Sequence, residues 1–245
     1  MTGPTYAATG EPIREAIVQA HGNAWRRIAN PGTWFDGPTR VAIAAETRNA
    51  PGCGLCAERK SSLSPYAIDG AHDSLGDLPD VIVEIVHRIV TDPARLKRQW
   101  YEGLLAGGTS DTEYVEVVGV VCTTISVDTF AHALGLARLD LPAPEPGPAP
   151  RHRPVGVKAG RAWVPWIAPE DVTEAEADLY DHGRFNIRRA LTAVPDEQRG
   201  FFDLVNAQYL SSEEIWDFAN DYRAITRAQI ELLAGRISAL NQCVY

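Results

Sequence analysis

Residues 110–122 read Ser110-Asp-Thr-Glu113-Tyr-Val-Glu116-Val-Val-Gly-Val-Val-Cys122, and their reading sets the fold class. A serine followed three residues later by a glutamate is a capping box, in which each side chain takes up a backbone N–H that the first helical turn leaves unpaired. The apolar positions that follow, Val115, Val118 and Cys122, recur at intervals of three and four, so the stretch predicts a helix. The same signals recur in both directions along the chain. The β-branched run Val81-Ile-Val-Glu-Ile-Val86 suggests a strand, but Pro79 and the spacing of Ile82, Ile85, Val86 and Ile89 favour a helix. Asp92-Pro93 offers a cap and a first helical residue. Ser126 is expected to cap a short separate helix carrying Phe130, Ala133 and Leu134, ended by Gly135. Thr226-x-x-Gln229 is a further capping box, opening a helix with an apolar stripe of Ile230, Leu233, Ile237 and Leu240. No stop signal follows Leu240, so that helix is expected to run on. Asp36-Gly37 and Asp69-Gly70 lack the strand-like flanks of a hairpin. The expected fold is all-α.

Leu141 to Pro154 reads LPAPEPGPAPRHRP, six prolines in fourteen residues, which can neither continue a helix nor pair inside a sheet. It predicts a linker, residues 141–162, between a helical domain of residues 1–140 and a second segment of residues 163–245. Hydrophobic residues make up 45% of the 245, enough for a core, so disorder is excluded as the overall state. Lys and Arg number 23 against 32 Asp and Glu, and no basic cluster offers a track for phosphates. Nucleic acid is therefore not an expected partner. No apolar run approaches the roughly 20 residues of a membrane span, so no membrane association is expected. The N-terminus lacks the basic and apolar regions of a secretory signal. The expected location is the cytoplasm, where thiols stay reduced unless they do redox work.

That makes the four cysteines, Cys53, Cys56, Cys122 and Cys243, worth placing. In Pro51-Gly52-Cys53-Gly54-Leu55-Cys56, Pro51 suits a first helical position and puts Cys53 in the first turn. There the unpaired N–H groups and the helix dipole stabilise a thiolate. Cys56 lies one turn on, on the same face and within disulfide reach. Glu46, seven residues before Cys53, could accept a proton, and Lys60, four after Cys56, could favour a thiolate. A C-x-x-C is also half of a zinc site, but no second C-x-x-C and no H-x₃-H follows, so no metal is expected. Two small buried residues are the structural alternative. Cys122 lies in an apolar helix and reads as core. His87 and His132 fall on expected helices and read as satisfied core or surface histidines. No nucleophile elbow, phosphate-binding loop, dinucleotide fingerprint or H-E-x-x-H motif is present, which weighs against hydrolase, nucleotide and zincin chemistry.

The stretch Arg227 to Tyr245 resembles the core motif of the AhpD-like alkylhydroperoxidases, which share a fold with the carboxymuconolactone decarboxylases. Glu231, Ser238, Asn241 and Cys243 fall in register with that motif, the glutamate twelve residues before the first cysteine. The first segment resembles the same fold more loosely, through its C-x-x-C and the helices carrying His87, Trp100 and Glu113 to Val118. The resemblance implies an all-α fold, assembly into homo-oligomers and thiol-dependent peroxidase chemistry with no cofactor. It also implies roles for Cys53, Cys56 and Cys243 as redox thiols and for Glu231 in a proton relay. Two departures stand out: Lys60 occupies the position of the family's histidine, and Val41 that of its glutamate. In the second segment the motif's second cysteine and histidine would follow Tyr245. A UGA codon at position 246, read as selenocysteine, is one expected cause, and a shortened, vestigial motif the other.

The function these readings imply is reduction of a hydroperoxide by a thiolate, with a disulfide then reopened by an external thiol reductant. Whether Cys53 or Cys56 attacks stays open at this point. Two alternatives compete: a non-catalytic binding or oligomerisation module, and a cofactor-free, decarboxylase-like enzyme using His132 or Glu116.

Overall fold

The computed structural model describes residues 6, 10, 12–181, 183, 185–211 and 213–243. Among these the chain is predominantly helical, with one two-stranded sheet. The first part supplies α1 (Glu15–Ala29), α2 (Gly37–Asn49), α3 (Gly54–Ser61), α4 (Asp80–Thr91), α5 (Arg98–Ala106) and α6 (Asp111–Ala133). Pro79 stands at the start of α4, and Ile82, Ile85 and Val86 are buried, so helical periodicity prevails over β-propensity there. Asp92-Pro93 opens only a single 3₁₀ turn, Pro93–Arg95.

α6 is the hub of the fold. Both halves of the Ser110–Glu113 capping box form, and Gly135 ends the helix at φ +69°, a conformation that costs glycine little. The break expected at Ser126 does not occur. Val127 and Ala131 are fully buried and carry the apolar face on, while the Ser126 hydroxyl donates to the Gln208 side chain at 2.7 Å. By length and composition α6 could cross a membrane, a property the sequence reading did not anticipate. Its most apolar window is 67% buried within the protein.

α6 packs against α2, α4 and α8 (Pro195–Gln208), and α8 also lies along α1. At Gly119 the Glu197 side chain occupies the space a Cβ would need, so only glycine admits α8 this closely. A buried charge cluster joins three of these helices: Arg40 of α2 pairs with Glu116 of α6 at 2.5 Å and Glu197 of α8 at 2.7 Å. Removing one member would strand a buried charge, which is the costly way to break such a cluster.

The proline-rich stretch carries no helix or strand, as its composition dictates, yet it is not a free hinge. The Glu145 N–H bonds the Ala29 carbonyl at 2.8 Å, and the Arg151 N–H bonds that of Thr33 at 2.7 Å. The Trp25 indole donates to the Asp140 carbonyl, and Leu139 and Leu141 pack on the core. The segment is a strap laid along the end of α1.

Beyond it come an antiparallel pair, β1 (Val157–Lys158) with β2 (Trp166–Ile167), then α7 (Asn186–Arg189), α8 and α9 (Arg227–Leu240). Leu179, Leu191, Val194 and Leu204 belong to the same apolar cluster as Ile28, Val86 and Val120. This part of the 163–245 segment therefore completes the core that the earlier helices begin. α9 differs: its capping box forms, but none of its residues is buried. Nor does it run on through Cys243. Gln242 takes φ +55°, and the N–H groups of Gln242 and Cys243 bond the carbonyls of Ala239 and Ser238. That pair of hydrogen bonds is a Schellman closure, here built on a residue other than glycine.

Candidate active site: two thiols between two histidines

Ala50–Gly52 form one 3₁₀ turn containing Pro51, and α3 begins only at Gly54. Cys53 is therefore the extended residue before the helix rather than part of its first turn, and Cys56 occupies that turn instead. The Gly54 N–H, which would otherwise face a nearby anion, is taken by the Asp73 carboxylate at 2.7 Å. Both cysteines are buried, Cys53 at 1% and Cys56 at 5% exposure.

Three elements converge on them. The loop before α4 folds back over α3 and carries His72. It is pinned by three bonds: Asp73 N–H to Cys53 Sγ, the Asn49 side chain to the Asp73 carbonyl, and Leu75 N–H to Glu46. α4 brings Glu84 and His87, one turn apart, and α2 brings Glu46.

Cys56 Sγ lies 3.4 Å from His72 Nδ1 and 3.3 Å from His87 Nδ1. Cys53 Sγ lies 3.6 Å from His72 Nδ1. Each imidazole turns its outer nitrogen to a carboxylate: His72 Nε2 to Glu84 at 2.7 Å, His87 Nε2 to Glu46 at 2.7 Å. Glu84 is itself held by Arg59, Arg88 and the Trp100 indole, each at 3.0 Å. Glu46 accepts from Asn49 at 2.9 Å.

Burial by itself would raise the Cys56 thiol. Hydrogen bonds from His72, His87, Thr91 and Cys53 outweigh it and bring the group down to about 6. His72 shows the complement. Burial disfavours its charge, but its bonds to Cys56, Glu84 and Cys53 lift it to about 10. His87 is raised for the same reasons, against the nearby His72 charge. Burial pushes Glu84 upward, and His72, Arg88 and Arg59 hold it down at about 2. Glu46 is likewise lowered, with His87 and Asn49 prevailing over burial.

The arrangement has the chemistry to act as a double proton relay. A thiol beside Nδ1 of a neutral imidazole can hand over its proton and leave thiolate and imidazolium, while the carboxylate at Nε2 stabilises the new cation. Cys56 has two such acceptors within reach, Cys53 one.

The other residues singled out from the sequence fall elsewhere. Glu46 does belong to the site, bonded to His87 Nε2. Lys60 is exposed, and the basic groups beside the thiols are His72 and His87. Val41 is half-buried against the main core. Cys122 lies on α6, its thiol pushed up to about 11 by burial. His132 is exposed on the last turn of α6, whereas Glu116 is locked in the Arg40 cluster. Sixteen residues of helix, about 24 Å at 1.5 Å each, separate these two. Glu231 is exposed and bound to Arg227 at 2.8 Å and Tyr209 at 2.7 Å. Cys243 is exposed in the closure of α9, and the motif's continuation through Val244 and Tyr245 lies outside the described residues. The thiol–histidine cluster contains neither Glu231 nor Cys243.

Sequence reasoning missed His72 and Glu84. The i,i+3 pair Glu84-x-x-His87 was a readable sign of two polar groups on one helix face. His72 left no sign, because only the fold of its loop brings it over α3. An open cleft of about 840 Å³, bordered by Trp163, Trp166, Arg161 and Arg189, is lined by none of the site's residues. No protein family, curated protein or solved structure matches this chain.

Proposed function

We propose that this protein is a thiol-dependent hydroperoxide reductase in which Cys56 attacks and Cys53 resolves. The carrying observation is that Cys56 Sγ sits between the Nδ1 atoms of two histidines, each backed by a glutamate. The Cys56 thiolate attacks the terminal peroxide oxygen, the O–O bond breaks, and Cys56 becomes a sulfenic acid. The departing alkoxide takes a proton from an imidazolium and leaves as an alcohol. The Cys53 sulfur then attacks the Cys56 sulfur, water leaves, and a disulfide forms. The two Sγ atoms are within 4.8 Å of each other, so the closure needs only local movement. An external dithiol returns both electrons and protons.

Cys56 is the better attacker because both imidazoles serve it and its pKa puts it in the thiolate form near neutral pH. The resemblance to the AhpD-like enzymes supports the same order, with the second cysteine attacking, and supports an AhpD-like helical architecture. The histidine and glutamate of that chemistry come here from other chain positions, His87 on α4 and Glu46 on α2.

The test uses the reduced, chelator-treated 245-residue chain with dithiothreitol and a small organic hydroperoxide. Catalysed dithiol consumption is expected. One equivalent of peroxide without reductant should yield a Cys53–Cys56 peptide lighter by two hydrogens in mass spectrometry. Two thiols that still alkylate freely after that treatment would overturn the reading.

A further inference from the structure

We infer that Cys53, Cys56, His72 and His87 form a closed, four-coordinate zinc site. The four ligand atoms, two Sγ and two Nδ1, all lie within 4.8 Å of one another. Zinc binds thiolate sulfur at about 2.3 Å and imidazole nitrogen at about 2.0–2.1 Å in tetrahedral geometry, which puts a sulfur–nitrogen edge at about 3.5 Å. The three recorded edges are 3.3, 3.4 and 3.6 Å. Three of the six edges thus match those of a zinc-sized tetrahedron, and the other three span no more than 4.8 Å.

The outer contacts fit as well. A metal-bound histidine usually presents one nitrogen to the ion and donates the other N–H to a carboxylate, which fixes the ring and its tautomer. Both histidines here turn Nδ1 inward and Nε2 to a glutamate, His72 to Glu84 and His87 to Glu46. Two thiolates and two imidazoles suit zinc and not the hard, oxygen-seeking magnesium or calcium. The ligands are buried or nearly so, and all four positions come from protein, so the site holds an ion without offering a place for substrate. Only half of a zinc pattern is readable in the sequence, because the second ligand pair comes from a loop and a helix rather than from one compact motif.

This inference goes beyond peroxide reduction and does not depend on it. Zinc occupies both sulfurs, so a zinc-loaded chain is protected from oxidation. Disulfide formation between Cys53 and Cys56 would remove two of the four ligands.

The experiment titrates the reduced, metal-stripped 245-residue chain with zinc under anaerobic conditions against a chromophoric chelator. One equivalent per chain is expected. Cobalt(II) in its place should give thiolate-to-cobalt charge transfer and the intense visible bands of a tetrahedral centre. His72→Ala and Cys53→Ser should each weaken zinc binding by on the order of 100-fold or more. Glu46→Gln should cost about 10–100-fold through the outer contact alone, and Cys243→Ser should cost nothing. His72 lies on a loop, so His72→Ala with an unchanged helical circular dichroism spectrum keeps the test valid if the other variants fail to fold. Absent stoichiometric binding, a weak octahedral cobalt spectrum, or undiminished affinity in His72→Ala would overturn the site. Zinc affinity is read without peroxide and turnover without zinc, so each proposal can fail alone.

Discussion

The chain carries two regions in which a cysteine and a glutamate suggest the same thiol chemistry, and the fold treats them in opposite ways. Around α3, Cys53 and Cys56 are buried, and each histidine beside them is bound to a carboxylate. On α9 and just past its end, Glu231 and Cys243 are exposed, and Glu231 is engaged with Arg227 and Tyr209. By sequence register alone, Glu231 and Cys243 are expected to carry that chemistry more than anything near Cys53. Yet reactivity depends on what surrounds a thiol, because a pKa moves with burial, neighbouring charge and hydrogen bonds rather than with sequence register. Cys56 has all three.

The sharpest way to break this contrast is to compare Cys56→Ser with Cys243→Ser. Removing an attacking nucleophile leaves only what binding and surroundings contribute, so Cys56→Ser should lower peroxide turnover by at least about 10³-fold. Cys243→Ser should change it by less than about twofold, since Cys243 is exposed and is not a member of the thiol–histidine cluster. Initial rates of dithiol consumption give both numbers. Comparable losses would mean that the two regions act together.

A second contrast concerns the carboxylates. Burial raises Glu84, but His72, Arg88, Arg59 and Trp100 prevail and hold it at about 2, against the usual 4.5. A carboxyl whose pKa is depressed by folding contributes stability above its unfolded value and loses it as pH falls toward the folded one. The Glu84 contribution is therefore full above about pH 5 and fades between 4.5 and 2. Its size is at most about 3 kcal/mol, since the side chain is 24% exposed and partly screened. Urea unfolding of Glu84→Gln should show a deficit of about 2 kcal/mol near pH 7 that narrows as the pH drops toward 3. A deficit independent of pH would assign the effect to packing instead.

How much of this was legible in the sequence follows from the range of the interactions. The capping boxes at Ser110 and Thr226, the Pro79 start and the Gly135 stop rest on contacts within a few residues, and all four stand. Ser126 misled because a buried apolar face outweighs a local cap. The strap misled because its composition fixes its extended form but says nothing of the backbone bonds that tie it to α1. In the site, Cys53, Cys56 and Glu46 were in view from local spacing. His87 reads from sequence only as a satisfied core or surface histidine and His72 gives no signal, since these partners lie 31 and 16 residues from Cys56. Lys60 was assigned a charge role on i,i+4 spacing, and the helix turns it to solvent.

The smallest expected effect tests the tail directly. Glu231 pairs with Arg227 one turn earlier on α9, in the less favourable order, with the cation toward the helix N-terminus. Both the exposure of Glu231 and that order limit the pair to roughly 0.5 kcal/mol. The Tyr209 hydroxyl also donates to Glu231, and burial together with this partner raises the tyrosine to about 12. Glu231→Gln keeps an acceptor for that hydroxyl and removes only the charge. Its stability by urea unfolding should fall by no more than about 0.5 kcal/mol, and its peroxide turnover should match the parent chain. The Tyr209 titration, followed by ultraviolet absorbance, should shift downward, because the neighbouring negative charge that held the proton on is gone. If turnover fell about tenfold instead, Glu231 would be acting on the thiols across the molecule as the motif implies. The division between a built pocket and an exposed tail would then be wrong.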